Sequence, residues 1–106
     1  MEEWEELIEI LLDEKASYAE RDDAAMDLSE YNNKTVIKTL VMTANHDLTD
    51  EMIKASCGES LAMILVQSDQ FEKEIYKQLK GIAKIEFESY VSLKRSDWKT
   101  YLNIQT

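Results

Sequence analysis

Proline is absent from this sequence, and glycine occurs only twice, at Gly58 and Gly81. An all-β domain of this size needs more of both, because they supply the backbone angles of tight turns and hairpins. The shortage turns the expectation toward helices. The single cysteine, Cys57, excludes an internal disulfide and fits a reducing compartment. The single histidine, His46, leaves too few ligands for a usual zinc site, which takes three or four His or Cys. No apolar run approaches the roughly 18 residues that mark a membrane helix. The start MEEWEELIEILL has acidic flanks and lacks the basic region and unbroken apolar core of a signal peptide. The expected location is therefore the cytoplasm.

Basic clusters are also missing, and the acidic charge is unevenly placed. Residues 1–31 hold twelve carboxylates against Lys15 and Arg21, which accounts for the whole net charge of −10. The remaining residues carry ten acidic and ten basic side chains and sum to zero. This distribution argues against direct nucleic-acid binding, which needs clustered Lys and Arg to neutralise phosphates. It argues equally against docking on an anionic membrane. An acidic end of this strength instead favours encounter with a cationic surface, at a rate that falls with salt.

Of the 106 residues, 44% are apolar, enough for one globular domain with a modest core. Trp4, Leu7, Ile8, Leu11 and Leu12 recur at i, i+3, i+4, i+7 and i+8, an amphipathic helix within Glu2–Glu14. At 100° per residue, Glu2, Glu6, Glu9 and Asp13 fall on its opposite face. A second helix is expected at about 18–29, with Tyr18, Arg21, Ala24, Ala25 and Leu28 on one side and Asp23, Asp27 and Glu30 on the other. Asn32-Asn33 makes the next turn. Val36, Ile37, Leu40, Val41 and Ala44 mark a third helix. After a polar break at 45–50, Thr49 is the expected N-cap of a fourth, about 50–67, that buries Ile53, Cys57, Leu61, Ile64 and Leu65. Phe71, Ile75, Tyr76 and Leu79 mark a fifth. In the tail, Ala83, Phe87, Tyr90 and Val91 form a helical face, while Ile85, Phe87, Val91 and Leu93 alternate like a strand. Helical context and the lack of hairpin signals favour the helix. Ser96-Asp97 then caps a short last helix with Trp98, Tyr101 and Leu102.

Ala24-Ala25 with Leu28 overlays Cys57-Gly58 with Leu61 at an offset of 33 residues, and Val36 and Leu40 match Ile75 and Leu79 at an offset of 39. Small residues on the first helix of each pair allow close approach, and stacked helix pairs make an α-solenoid. Arg21 to Tyr31, Val36 to Leu40 and Ser56 to Ala62 together resemble short bacterial HEAT-like repeat proteins, over about residues 21–79. The fold this implies is all-α: a HEAT-like stack of antiparallel helix pairs, five to seven helices in one domain, with pairs at about 18–44 and 50–79 and capping helices at about 82–102. Small acidic proteins of this shape resemble immunity proteins of bacterial toxin–immunity systems, including contact-dependent growth inhibition. That resemblance implies a partner: the C-terminal domain of a cognate secreted toxin, often a nuclease, bound one to one by a monomer.

Chemistry-bearing constellations are scarce. No catalytic, metal or cofactor site is expected, and so no enzyme. His46 reads as a capping or surface residue. Cys57 sits on an apolar helix face and reads as core. Gly58-Glu59-Ser60 lacks the flanking glycine of a nucleophile elbow. The carboxylate spacing does not match a calcium loop. The candidate partner-binding residues are therefore Glu2, Glu6, Glu9, Asp13, Asp23, Asp27 and Glu30, a stripe able to stand where phosphates would lie in a basic cleft. Trp4, Tyr18, Tyr31, Trp98 and Tyr101 are candidate anchors or core residues. The competing readings are an adaptor subunit that scaffolds a host protein and a small thiol enzyme using Cys57.

Overall fold

The computed structural model describes residues 1–102 and contains no strand in that span. Six α-helices follow in order: α1 Glu3–Leu12, α2 Tyr18–Asp27, α3 Lys34–Ala44, α4 Glu51–Ser68, α5 Lys73–Gln78 and α6 Gly81–Lys94. Two 3₁₀ turns accompany them, at Leu28–Glu30 and Ser96–Tyr101. The chain is all-α, and the tail that alternated like a strand is helical. Ile85 and Leu93 of that alternation are exposed, whereas Ala83, Phe87 and Val91 are buried at helical spacing. No described helix is long and apolar enough to cross a membrane.

Local capping chemistry sets most helix starts. Glu5 Oε1 accepts from the Glu2 amide at 2.8 Å. Ser17 and Glu20 form a reciprocal capping box at 3.1 and 3.2 Å. Asn33 Oδ1 accepts from the Val36 amide at 2.8 Å, as the Asn-Asn turn implies. The cap of α4 is Asp50, not Thr49: its carboxylate accepts from the Met52 amide, while Thr49 Oγ1 sits 3.3 Å from His46 Nδ1. A charged acceptor at the positive end of the helix is the stronger cap. Asp69 ends α4 in the left-handed region, with φ 56°. The Gln70 amide then returns to the Leu65 carbonyl, a Schellman closure.

Helix α4 is the hub. It packs against α2, α3 and α6, while α1 lies on α2 and α3. The closest consecutive contacts thus join α1 with α2 and α3 with α4, one helix earlier than the expected pairs at 18–44 and 50–79. Periodicity implied one buried face on α4. The structure buries Ile53, Cys57, Leu61, Ile64 and Leu65 and also Ser56, Gly58, Ser60 and Ala62. A helix buried over most of its circumference belongs in the centre of a bundle; only the face of Ala55, Glu59, Met63 and Val66 stays partly open. Its serines are satisfied by α2: Ser60 Oγ donates to the Ala25 carbonyl at 2.6 Å and Ser56 Oγ to Asp22 at 2.5 Å. Burying each large apolar side chain contributes about 1.5–3 kcal/mol; Leu28, Val36, Leu40 and Phe87 lie on segments packed against α4 and, like Leu11 on α1, have no exposed surface.

Helix α5 is shorter than expected. Phe71 precedes it and Leu79 follows it, because the chain is extended at Leu79 and Lys80 and then turns at Gly81, with φ +60°. Phe71 instead centres an aromatic cluster. Its ring stacks on Tyr101 at 4.9 Å and meets Trp98 at 5.5 Å and Phe87 at 6.2 Å, edge to face. The last segment is a 3₁₀ turn rather than an α-helix, and it follows Arg95 rather than a Ser96-Asp97 cap. The Arg95 guanidinium lies 4.1 Å from the Trp98 ring centre and pairs with Asp69 and Asp97. Its hydrogen bonds hold the Asp97 carboxyl below the usual range.

Candidate partner-binding surface

Two hydrogen bonds hold α1 and α2 as an antiparallel hairpin. At the turn, Arg21 Nε donates to the Leu11 carbonyl at 2.9 Å. At the open end, the Tyr31 hydroxyl donates to Glu3 Oε1 at 2.5 Å. Glu3, Asp27 and Glu30 thereby gather around one phenol, whose pKa is raised to about 12. The hydrogen bond to Glu3 is the largest cause, followed by desolvation and the charges of Glu3, Glu30 and Asp27. Sequence periodicity did not single out Glu3, because its role depends on Tyr31, 28 residues away.

All seven expected residues are exposed: Glu2, Glu6, Glu9, Asp13, Asp23, Asp27 and Glu30. They are not brought to one focus. Asp27 and Glu30 meet the first turn of α1, which carries Glu6 and follows Glu2. Asp13 lies at the other end of α1 and accepts from the Lys15 amide at 2.9 Å, and Asp23 lies just past the middle of α2. The acidic segment divides by role. Glu2, Glu5 and Glu20 serve helix starts, Asp22 receives Ser56, and Glu3 receives Tyr31. The carboxylates of Glu6, Glu9, Glu14, Asp23, Asp27 and Glu30 have no hydrogen-bond or ion-pair partner among the described residues.

The cations do not compensate. The five ion pairs of the described residues lie within 47–97, and neither Lys15 nor Arg21 joins one. Asp27 is the final residue of α2, where the helix carbonyls already create negative potential. This position is unfavourable for a carboxylate and is left uncompensated.

Other candidates have structural roles. Cys57 is fully buried, and burial pushes its thiol up to about 12, which removes the thiolate that nucleophilic chemistry requires. Ser60 lies inside α4 and donates to backbone. Trp98 is core, Trp4 packs against the core, and Tyr18 and Tyr101 are more than half exposed. Among the described residues, no group of three or more His, Cys, Asp or Glu is placed to hold a metal ion.

A second surface was not legible in the sequence. An open groove of about 630 Å³ runs between α3 and α5, floored by Ile37, Val41, Met42 and Ile75. Met42, 57% exposed, also borders a smaller pocket beside Leu12 and Leu48, which are 50% and 90% exposed. Periodicity places Leu12 in the buried stripe of α1, but the helix ends there and the side chain is half exposed. Comparison with protein-family models, curated proteins and solved structures finds no match.

Proposed function

We propose that this chain is a non-enzymatic binding protein that acts by occlusion, in the manner of an immunity protein. Its α1–α2 hairpin would cover the basic cleft of a cognate toxin domain, of which a nuclease is the simplest case. One observation supports this above the rest: six exposed carboxylates on the hairpin have no partner, and Asp27 stands at a helix end that disfavours it. Such charge lowers stability through self-repulsion and returns nothing to the fold. Carboxylates held on a rigid hairpin can take the positions of phosphates in a Lys- and Arg-lined cleft and block substrate without chemistry of their own. The buried, weakly acidic Cys57 supports a reading without a thiol nucleophile.

The test is affinity capture from the native host at low and high salt, with inhibition assayed on the recovered partner. Recovery of a basic toxin domain, whose activity the protein blocks and whose affinity falls on reversal of Glu6, Glu9, Asp23 and Asp27 to Lys, is the expected result. A partner bound equally well by the reversed variant would remove the acidic-face mechanism. Recovery of housekeeping assemblies alone would favour the adaptor reading, for which the α3–α5 groove is the supporting feature.

A further inference from the structure

The groove between α3 and α5 carries charge of opposite sign on its two rims. Lys34 and Lys38 are one helical turn apart on α3, both exposed, and neither belongs to an ion pair among the described residues. Glu72 borders the groove from the α5 side and is likewise unpaired, although its neighbours Glu74 and Lys77 pair with each other at 3.7 Å. Ile37, with the nearly buried Val41 and Ile75, lines the trough beside the lysines, and the exposed Met42 continues the Lys34–Lys38 row one turn further along α3. The trough exists because α5 has six residues: α1 packs against α3 on one side, and the short α5 leaves the other side uncovered. From Lys34 to Met42 the open flank is about 12 Å long, roughly two helical turns. No strand edge occurs among the described residues to receive an extended peptide.

We propose that the α3–α5 groove docks an amphipathic helix of a protein partner, with its apolar stripe on Ile37, Val41, Met42 and Ile75, its carboxylates on Lys34 and Lys38, and a cation on Glu72. A helix is the occupant that the fold itself lacks at this place, and side chains at i, i+3, i+4 and i+7 match a two-turn trough. The rims set its charge pattern, since unpaired charges beside an apolar floor discriminate among partners more than they add affinity. The inference stands apart from the acidic hairpin and does not depend on what that hairpin binds.

Two synthetic helical peptides of about 14 residues test it. Both carry Leu at the four stripe positions. One has Glu along one edge and Lys along the other; the second has Lys on both edges. Binding is read by methyl NMR. The mixed-edge peptide is expected to perturb Ile37, Val41, Met42 and Ile75 saturably. The double variant Lys34→Glu, Lys38→Glu should weaken it about fivefold, and Met42→Glu should weaken it more than tenfold. These side chains are exposed, so circular dichroism should show the fold retained. The all-Lys peptide should instead perturb the backbone amides of Asp27 and Glu30, followed in amide NMR spectra beside the methyl spectra, in a manner that salt suppresses. Absence of saturable groove shifts, indifference to the Lys34/Lys38 reversal, or equal groove binding by the all-Lys peptide would each overturn the proposal. Concentration-dependent groove shifts without peptide would place a second copy of the chain there, and would overturn it too. Loss of groove binding with hairpin binding intact separates this inference from the acidic-face reading.

Discussion

Gly58 lies directly against the backbone of Ala83: a Cβ at Gly58 would sit 2.1 Å from the Ala83 carbonyl oxygen. That contact fixes the spacing of α4 and α6. Backbone cannot move aside as a flexible side-chain end can. Gly58→Ala is therefore expected to destabilise, although alanine favours a helix interior by about 1 kcal/mol. The overpacking penalty is about 1–3 kcal/mol or more, so the clash wins. Urea unfolding checks this; an unchanged or higher midpoint would mean that α4 and α6 are not this close.

Gly81 makes the contrasting case. Its φ is +60° and nothing lies within 4 Å of a Cβ placed there. The cost of Gly81→Ala is conformational alone, about 1–2 kcal/mol. Gly81→Asn should recover part of it, since asparagine tolerates left-handed backbone. Equal losses for Ala and Asn in thermal melts would contradict this account.

Asp27 and Glu30 should be dispensable for folding. Replacing both by Lys removes repulsion around Tyr31 and places cations at the carboxyl end of α2. Stability is expected to rise by about 0.3–1 kcal/mol at low salt, with the gain shrinking as salt is added. A fall in melting temperature would show that these carboxylates hold the fold.

Tyr31 carries a pH signature. Its folded-state pKa is raised from 10.0 to about 12, chiefly by its hydrogen bond to Glu3. Below pH 10 both folded and unfolded states keep the phenolic proton, so this contribution is fully present. As pH rises from 10 toward 12, the unfolded state loses that proton first and stability falls. Tyr31→Phe should make this part of the alkaline decline shallower. Identical declines in the two proteins, followed by circular dichroism, would show that the Tyr31–Glu3 link does not form.

Cys57 should be inert in the native protein. The thiol is buried and its pKa is pushed up to about 12. Alkylation is expected to proceed at the rate of global opening and to become fast only in denaturant. Rapid labelling under native conditions would reopen thiol chemistry.

Several elements could be read from the order of residues alone. Trp4, Leu7, Ile8 and Leu11 define the inner face of α1, Asn33 starts α3, and the seven candidate carboxylates are exposed where periodicity placed them. Each of these depends on neighbours within about one helical turn. The difficult elements depend on distant partners or on where a helix begins and ends. Phe71 reads as a helix residue until Trp98 and Tyr101 arrive to pack on it, and Thr49 reads as a cap until Asp50 takes that role. Leu12 reads as buried because a periodic pattern does not reveal where the helix stops.

Composition and local periodicity determine that this chain is helical, has one acidic end and carries a small-residue surface on its longest helix. These are short-range properties of propensity, capping and spacing. Tertiary packing decides the rest. It encloses α4 on all but one partly open face, joins Tyr31 to Glu3 so that Asp27 and Glu30 meet the start of α1, and leaves α5 too short to cover the flank of α3. The hairpin's open-end acidic cluster and the α3–α5 groove both arise between segments far apart in the chain, where no repeat of three or four residues carries information about who the neighbour will be.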